Sequence, residues 1–511
     1  MRRALAFALA ACCVVAAGQT TASAAGQRSR AAAKCGVSAT VEVALERAVG
    51  TRVANRALRA CAAKGGVRAM RAHPPTDRSR PERAHAAAVN IVVDNDGFAT
   101  DANCNAGATA AETTIDAGLA LAAAGDSVLV CPGSYAGGVA IPDGVTLRGI
   151  GATQPIVGCG PGSFGTTGAI LGEVDDATIQ NLDFEGGGTC GTGIQVLNAI
   201  GSTVTGNTIN GSQVGILSEF AGFNQFGPDN SITARETGIL EFLTDGDTIV
   251  DNHVGEAPSA DIALIDTGLF DLGGNVIEEN SLTGGPATRY GIFLDFGDLT
   301  HAEGNVISGH AYGVWVEDSL DVAVTKNLIH GNDYGLVNIA TGSECKQQCK
   351  RSRAFGGPVP DLVDGTRNWW GSATGPGDWG IGTGDEVSAE VDFFPWALNN
   401  QLTAFRACDK RITIPGSLRG TIKSDVLCGS GGDDTINGRK GADLIIANNG
   451  DDVISGKEGQ DSIIGAGGDD FVTGNTQFDS IQGRGGGDVC WFNGDGGQTS
   501  SCERFGIGPS R

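Results

Sequence analysis

The sequence is poor in positive charge: its 511 residues include 35 Lys and Arg against 59 Asp and Glu. After residue 85 the imbalance grows to 20 basic against 55 acidic residues. A body this acidic excludes nucleic acid and anionic membranes as partners. The sequence also lacks, beyond its first 24 residues, any apolar stretch long enough to cross a bilayer. We therefore expect no transmembrane segment.

The first residues carry an export pattern. Met1-Arg2-Arg3 precedes an apolar run, and Ala22-Ser23-Ala24 follows it, which predicts a secretory signal peptide over 1–24. We expect a secreted, extracellular bacterial protein, either released or associated with the cell surface.

A basic segment, 25–88, follows the signal peptide. We interpret it as a short helical hairpin between Val41 and Ala62 and a linker between His73 and His85. Contact of this segment with an anionic cell wall is the alternative.

Of fourteen cysteines, twelve remain after the signal peptide, and an even number in an exported chain indicates disulfides. We expect pairing between neighbours in the sequence, although spacing alone does not fix the connectivity. The expected pairs are Cys35–Cys61, Cys104–Cys131, Cys159–Cys190, Cys345–Cys349, Cys408–Cys428 and Cys490–Cys502. For Cys345 and Cys349 a zinc site is the alternative, but no histidine or second cysteine pair supports it.

Near the C-terminus an aspartate recurs every nine residues. The eight are Asp425, Asp434, Asp443, Asp452, Asp461, Asp470, Asp479 and Asp488. A glycine-rich turn precedes most of them, and an aliphatic residue stands two positions later, as in Gly465-Ala466-Gly467-Gly468-Asp469-Asp470-Phe471-Val472. A fixed short period predicts a solenoid, and carboxylates beside glycine turns suit calcium.

This pattern resembles the RTX nonapeptide β-roll. The resemblance implies that 399–511 forms a calcium-binding domain with Ca²⁺ as its cofactor and the eight aspartates as ligands. It also implies that two nonapeptides form one coil, so that Asp425 shares an ion with Asp443 and Asp434 with Asp452. The alternative is a metal-free, acidic, glycine-rich linker.

The middle of the chain, 89–398, has a longer period. Gly-aliphatic pairs recur at spacings near 22 residues, for example Gly193-Ile194, Gly215-Ile216 and Gly238-Ile239. Asparagines recur in step, at Asn207, Asn230, Asn252, Asn280, Asn305 and Asn327. Short apolar strands with asparagines at turns predict a parallel β-helix whose stacked coils bury the aliphatic residues.

Both ends of this region have capping signals, which a solenoid needs. An amphipathic helix is expected from Glu112 to Ala124, and an aromatic segment begins at Asn368-Trp369-Trp370. These segments resemble the ends of secreted bacterial right-handed β-helix proteins of the pectate-lyase-like superfold. The expected fold class is all-β: a right-handed parallel β-helix followed by a calcium-binding parallel β-roll, with a short helical N-terminal segment.

Acids follow the Gly-aliphatic pair in five coils, at Glu219, Glu241, Asp266, Asp295 and Glu317. If the coils are in register, these acids line one edge and could serve a polysaccharide site. The candidate catalytic residues are Glu219, Glu241, Asp295, Arg289 and Tyr290. A solvated acidic edge without catalysis is the alternative.

The catalytic motifs of related enzymes are missing. Pectate lyases of this fold use basic residues, which are scarce here, and the Arg-x-Lys motif of polygalacturonases is absent. Alginate epimerases share the layout of β-helix and RTX repeats, but their catalytic box is not matched by Tyr290-Gly291-Ile292-Phe293-Leu294-Asp295.

The sequence therefore favours a non-enzymatic, monomeric calcium-binding protein that binds a polysaccharide or cell-surface glycan. An enzyme acting on acidic polysaccharide (a lyase, epimerase or hydrolase) is the alternative, and a passive spacer is the third.

Overall fold

The computed structural model describes residues 88–95, 104, 111–162, 165–267, 274–340, 362–492 and 496–507. The predicted signal peptide, the helical hairpin with its linker, and the pairs Cys35–Cys61 and Cys345–Cys349 lie outside these residues. The chain divides into two compact units, Met1–Phe293 and Leu294–Arg511. The predicted boundary at 398/399 falls within the second unit and stays a prediction.

The first unit consists of short strands and one helix. In chain order they are β1 (Asn90–Val93), α1 (Ile115–Leu121), β2 (Ser127–Val130), β3 (Ser134–Tyr135), β4 (Val139–Ala140), β5 (Thr146–Gly149), β6 (Ile156–Val157), β7 (Gly160–Gly162), β8 (Gly165–Gly172), β9 (Thr178–Gln180), β10 (Asp183–Glu185), β11 (Thr192–Leu197), β12 (Thr203–Thr205), β13 (Thr208–Asn210), β14 (Val214–Glu219), β15 (Gln225–Phe226), β16 (Ser231–Thr233), β17 (Thr237–Phe242), β18 (Thr248–Val250), β19 (His253–Gly255), β20 (Ala260–Thr267), β21 (Val276–Glu278) and β22 (Ser281–Thr283). Strand β23 (Tyr290–Gly297) contains the boundary between the units.

These strands form three parallel sheets. The first has the order β1-β2-β5-β9-β12-β15-β18-β21, the second β3-β6-β10-β13-β16-β19-β22 and the third β4-β8-β11-β14-β17-β20. Each coil contributes one strand to each sheet, as in a parallel β-helix.

The predicted register of the Gly-aliphatic pairs is confirmed in the third sheet. Ile194 pairs with Ile216, Ile216 with Ile239, and Ile239 with Ile262. All four side chains are fully buried, so they form a column in the core whose burial stabilises the stack of coils.

The asparagines form the predicted ladder inside the coils. The backbone N–H of Asn207 donates to Oδ1 of Asn230 at 3.0 Å, and that of Asn252 donates to Oδ1 of Asn280 at 3.0 Å. Nδ2 of Asn230 donates to Oδ1 of Asn252 at 2.9 Å. Each side chain thus joins neighbouring coils and satisfies turn amides that would otherwise be buried without a partner.

The capping helix α1 is shorter than predicted. Thr114 begins it, because its side chain accepts from the backbone N–H of Ala117 at 3.2 Å, and the chain is extended again at Ala122. Glu112, expected inside the helix, instead forms a β-bridge with Val93. No helix within the described ranges is long and apolar enough to cross a membrane.

The second unit continues with strands of the same kind. They are β24 (His301–Glu303), β25 (Val306–Ser308), β26 (Tyr312–Glu317), β27 (Ala323–Thr325), β28 (Leu328–His330), β29 (Tyr334–Ile339), β30 (Val363–Asp364), β31 (Pro376–Asp378), β32 (Gly384–Val387) and β33 (Val391–Asp392). They form the sheets β24-β27-β30-β33, β25-β28 and β26-β29-β32-β31. The asparagine ladder recurs, since Asn305 donates to Asn327 and Asn327 to Asn368.

The last strands of the second unit form the β-roll. They are β34 (Lys410–Arg411), β35 (Ser417–Arg419), β36 (Val426–Cys428), β37 (Thr435–Lys440), β38 (Leu444–Ile446), β39 (Val453–Glu458), β40 (Ser462–Gly467), β41 (Phe471–Thr476), β42 (Asp479–Gly485), β43 (Val489–Phe492), β44 (Gly497–Ser500) and β45 (Arg504–Ile507). Even-numbered strands form one parallel sheet and odd-numbered strands the other. The fold class predicted from the sequence, a right-handed parallel β-helix followed by a parallel β-roll, is confirmed.

The core of the β-roll is the column of aliphatic residues that the nine-residue period predicted. Its members Ile436, Ile445, Ile454, Ile463, Val472 and Ile481 are at most 1% exposed. Partners in each sheet are 18 residues apart, as for Ile436 and Ile454. Two nonapeptides therefore form one coil.

Four disulfides join neighbouring cysteines, and all four are pairs expected from the sequence. They are Cys104–Cys131, Cys159–Cys190, Cys408–Cys428 and Cys490–Cys502. The last two lie at the first and last coils of the β-roll, where a solenoid is open to solvent.

Candidate functional site

The eight repeat aspartates form two ladders along the β-roll. In each step the backbone N–H of one aspartate donates to Oδ1 of the aspartate 18 residues later, at 2.7–2.9 Å. One ladder contains Asp434, Asp452, Asp470 and Asp488, and the other contains Asp425, Asp443, Asp461 and Asp479. The n and n+2 pairing implied by the family resemblance is thus the pairing in the structure.

The second carboxylate oxygen divides the aspartates into two groups. At the start of the roll, Oδ2 of Asp425 accepts from the backbone N–H of Thr421 at 2.5 Å, and Oδ2 of Asp434 accepts from that of Ser430 at 2.6 Å. In five later aspartates, Oδ2 is buried and has no hydrogen-bond partner among the described residues. They are Asp443, Asp452, Asp461, Asp470 and Asp488.

Glycine five positions before the aspartate makes room for this oxygen. A Cβ added at Gly456 would lie 2.2 Å from Oδ2 of Asp461, and one at Gly465 would lie 2.3 Å from Oδ2 of Asp470. A Cβ at either glycine would therefore occupy the space that faces the unpartnered oxygen. This contact explains why glycine recurs at the first position of the repeat.

Burial changes the acidity of these carboxyl groups. Desolvation, the largest cause, raises the pKa of Asp443 and Asp470 to about 7, and neighbouring ladder aspartates raise it further. The pKa of Asp452, Asp461 and Asp488 is raised to about 6, again chiefly by desolvation. A positive charge beside the ladders would remove this destabilisation of the ionised form.

The donor set suits a hard divalent cation. Buried carboxylate oxygens without a hydrogen-bond donor, beside glycine turns rich in carbonyl groups, are the ligands that calcium takes. No group of three or more His, Cys, Asp or Glu side chains in the described part of the chain is arranged to hold a metal. Backbone carbonyls would therefore have to supply most of the ligands.

Two elements of the roll were not anticipated from the sequence. Glu503 extends one ladder, because its Oε2 accepts from the backbone N–H of Asp488. A second row of carboxylates runs beside the same ladder: Asp451 donates its N–H to Oδ1 of Asp433, and Asp469 donates to Oδ1 of Asp451. The consecutive pairs Asp451-Asp452 and Asp469-Asp470 were the available signal for this row.

The acids of the β-helix do not form the expected edge in the first unit. Glu219 pairs with Phe242, and Glu241 pairs with Ser218, so the two glutamates are one residue out of register. Alternate residues of a strand face opposite sides of the sheet. Asp266 is displaced once more, because Ile265 is the partner of Phe242. The expectation of one acidic edge is therefore wrong for these three acids.

Glu241 faces the interior of the coil. Its partners in register, Ser218 and Leu264, are fully buried, as is Glu241 itself. Oε2 accepts from the hydroxyl of Thr244 at 3.0 Å, while Oε1 has no partner among the described residues.

Asp247 lies close enough to Glu241 to affect its acidity. Burial, followed by the charge of Asp247, holds the pKa of Glu241 well above its usual range. Burial also raises the pKa of Asp247 to about 7. Asp247 belongs to an interior ladder, in which it accepts from Asn224 at 2.7 Å and donates to Asn275 at 2.9 Å. This pair of carboxyl groups is thus part of the packing rather than of an open groove.

The remaining catalytic candidates have structural contacts. The guanidinium of Arg289 lies 4.9 Å from the ring centroid of Tyr290, which is 3% exposed and packs against Phe293. Glu219 is 4% exposed, and burial raises its pKa to about 7. Asp295 is half-buried on β23. Within the first unit, the structure brings Arg289 and Tyr290 together but places Glu219 and Glu241 on opposite sides of a sheet.

A pocket of about 400 Å³ lies in the second unit, in the aromatic segment singled out by the sequence. His330, Trp369, Trp370, Thr383, Asp385 and Asn400 line it. Asp385 accepts from the backbone N–H groups of Gly331 at 2.9 Å and Asn332 at 3.0 Å. Trp370 is fully buried, and its Nε1 has no partner among the described residues. The pocket combines indole surface with polar groups, as sites for small polar ligands do.

Comparison with known families agrees with both halves of the fold. The family model "Periplasmic copper-binding protein (NosD)" matches residues 183–346. The model "RTX calcium-binding nonapeptide repeat (4 copies)" matches 429–463 and 464–497. No curated protein matches the chain.

Among solved structures, three are similar at low identity. The A-module of mannuronan C-5 epimerase AlgE4 from Azotobacter vinelandii is 13% identical, with a TM-score of 0.34, covering 81% of this chain and 100% of its own. Pectate lyase Pel9A is 14% identical, with a TM-score of 0.30 and coverage of 60% and 79%. An exopolygalacturonase from Thermotoga maritima is 8% identical, with a TM-score of 0.33 and coverage of 73% and 83%. Likenesses this distant carry no argument about activity.

Proposed function

We propose that this right-handed parallel β-helix protein with C-terminal RTX repeats is an extracellular calcium-binding protein whose β-roll folds around Ca²⁺. The observation that carries the proposal is the set of five buried aspartates whose Oδ2 has no partner in the described structure. Buried carboxylates without compensation are costly, and a bound cation removes that cost.

Each part of the repeat has a role in this proposal. Oδ1 of each aspartate accepts a backbone N–H from the coil before it and fixes the carboxylate, while Oδ2 is left for the ion. Glycine at the first position keeps the space beside Oδ2 open. Calcium supplies positive charge, so loading the ladders and folding the roll are one equilibrium.

An extracellular location fits this chemistry. Extracellular calcium-binding modules work at Kd values of about 0.1–1 mM, and disulfides persist in oxidising compartments. The four disulfides and the predicted signal peptide support the same location.

The test is folding of the full mature chain with CaCl₂ and with a strong chelator, followed by circular dichroism and limited proteolysis of the C-terminal region. We expect protection of the roll in calcium and its loss in chelator. Asp452→Ala and Asp461→Ala should each raise the calcium concentration needed for protection. Equal protection of the wild-type roll in both solutions would show that the β-roll is stable without calcium and that the proposal is wrong.

For the β-helix, we propose glycan binding as the second function. The pocket beside Trp369 favours it, because an indole with neighbouring amide, hydroxyl and carboxylate groups can hold a sugar ring. A panel of neutral and acidic polysaccharides should include one that binds, and Trp369→Ala should weaken that binding about tenfold or more. Trp491→Ala is the control, since Trp491 is 40% exposed in the β-roll. Equal loss in both variants, or in neither, would contradict the assignment of this pocket.

The polysaccharide-active enzyme stays the alternative. Its strongest candidates are separated, because Glu241 faces the interior and Glu219 faces the other side of the sheet. Release of reducing ends by the wild-type protein and its loss in Arg289→Ala would favour the enzyme. Absence of release, together with binding of a glycan, favours the non-enzymatic function.

A further inference from the structure

The β-roll has two rows of turns with different charge. We call the turns 429–434, 447–452, 465–470 and 483–488 edge 1, and the turns 420–425, 438–443, 456–461 and 474–479 edge 2. Edge 1 contains seven aspartates and one arginine. Edge 2 contains four aspartates and one glutamate, but also three lysines and one arginine.

Edge 1 carries a second row of carboxylates beside its ladder. Asp433, Asp451 and Asp469 are exposed, and each directly precedes a ladder aspartate. Oδ1 of Asp433 accepts from the N–H of Asp451 at 3.0 Å, and Oδ1 of Asp469 accepts from the N–H of Gly487 at 2.8 Å. These hydrogen bonds hold the three extra negative charges in line along the edge.

Edge 2 carries positive charge in the corresponding region. Arg439 and Lys457 are partners in register on adjacent strands. Lys440 forms an ion pair with Glu458 at 2.6 Å between Nζ and Oε2. The residues that precede its ladder aspartates, such as Ala442 and Gln460, have no charge.

Both edges nevertheless have the buried oxygen that a cation needs. Oδ2 of Asp452, Asp470 and Asp488 on edge 1 has no partner in the described structure, and the same holds for Asp443 and Asp461 on edge 2. The edges therefore differ in surrounding charge rather than in the ladder itself.

We propose that the two edges bind calcium in two stages, edge 1 at lower calcium concentration than edge 2. This inference rests on the proposed calcium function of the roll. The negative row of edge 1 attracts the divalent ion, whereas Arg439 and Lys457 repel it on edge 2. We expect the affinities to differ by about tenfold at low ionic strength and by less at high salt, because exposed charges are screened.

The test is a calcium titration of the full mature chain by equilibrium dialysis, at low salt and at high salt. The wild type should show two classes of site. The triple variant Asp433→Asn, Asp451→Asn, Asp469→Asn should weaken the tighter class about tenfold and leave the weaker class unchanged. Asparagine keeps the oxygen that accepts from the next turn, so the variant retains the hydrogen bonds of the row.

The matched variant changes edge 2 alone. Arg439→Gln with Lys457→Gln should strengthen the weaker class and leave the tighter class unchanged. A single class of sites, or a triple variant that titrates like the wild type, would overturn the two-stage inference while leaving calcium binding intact. A chain that binds no calcium in any buffer would instead overturn the proposed function.

Discussion

Asp452 donates its backbone N–H to Oδ1 of Asp470 at 2.9 Å, across one full coil of the roll. The same contact recurs between Asp443 and Asp461 at 2.9 Å on the other edge. An aspartate is therefore needed once per turn, and each coil has two turns. This explains why the sequence repeats every nine residues while the strands pair every 18.

The first prediction concerns the glycine beside the carboxylate. In Gly456→Ala the new Cβ would lie 2.2 Å from Oδ2 of Asp461, and overpacking of this kind costs about 1–3 kcal/mol. We expect the calcium concentration for half-maximal folding of the roll to rise about tenfold, as measured by circular dichroism. Gly431→Ala is the control, because a Cβ there meets nothing within 4 Å. Equal shifts for both variants would contradict the role of the cradle.

The sequence predicts the repeating parts of this fold well because their periods follow from coil geometry. Ile194, Ile216 and Ile239 recur with the coil and are partners in the sheet. The catalytic candidates could not be placed in the same way. A shift of one residue turns a side chain to the other face, and the spacing of Glu219 and Glu241 hides such a shift.

The interior polar ladder was also beyond the sequence pattern. Asn224, Asp247 and Asn275 occupy equivalent places in successive coils, although their residue types differ. The asparagine ladder was visible because every step uses the same residue. Glu241 belongs with the former group, since only its register shows that it faces the interior.

The second prediction tests the asparagine ladder. Asn252 is fully buried, accepts from Asn230 at 2.9 Å and donates to Asn280. Asn252→Ala leaves buried polar groups without partners, so we expect a loss of about 2–4 kcal/mol in the free energy of unfolding. Asn210→Ala is the control, because Asn210 is exposed at the end of β13. Chemical denaturation followed by tryptophan fluorescence measures both, and equal stability of the two variants would contradict the prediction.

The third prediction concerns the end of the β-roll. Cys490 and Cys502 are joined across 12 residues, and a disulfide of this kind stabilises by about 2–4 kcal/mol. The double variant Cys490→Ser, Cys502→Ser should therefore unfold its roll at lower temperature in calcium, with proteolysis beginning near the C-terminus. Protection of that region equal to wild type would show that the last coil needs no staple.

The fourth prediction concerns pH and the buried pair of Glu241 and Asp247. Burial raises both pKa values above those of the unfolded chain, so the native state holds protons that the unfolded state releases. The stabilisation is complete below about pH 4 and is lost as pH rises through 7, because the unfolded state then binds fewer protons than the native state.

Glu241→Gln removes one of these titrations while keeping an oxygen that can accept from Thr244. The variant should therefore gain stability relative to wild type as pH rises from 5 to 8, by about 2–4 °C in melting temperature for each kcal/mol. Glu256→Gln, a change at an exposed glutamate of the same unit, should show no such trend. Thermal melts at constant calcium and ionic strength measure the difference between each variant and wild type. A constant difference for Glu241→Gln across this range would mean that the buried carboxyl group releases its proton at the same pH in the folded and unfolded chains.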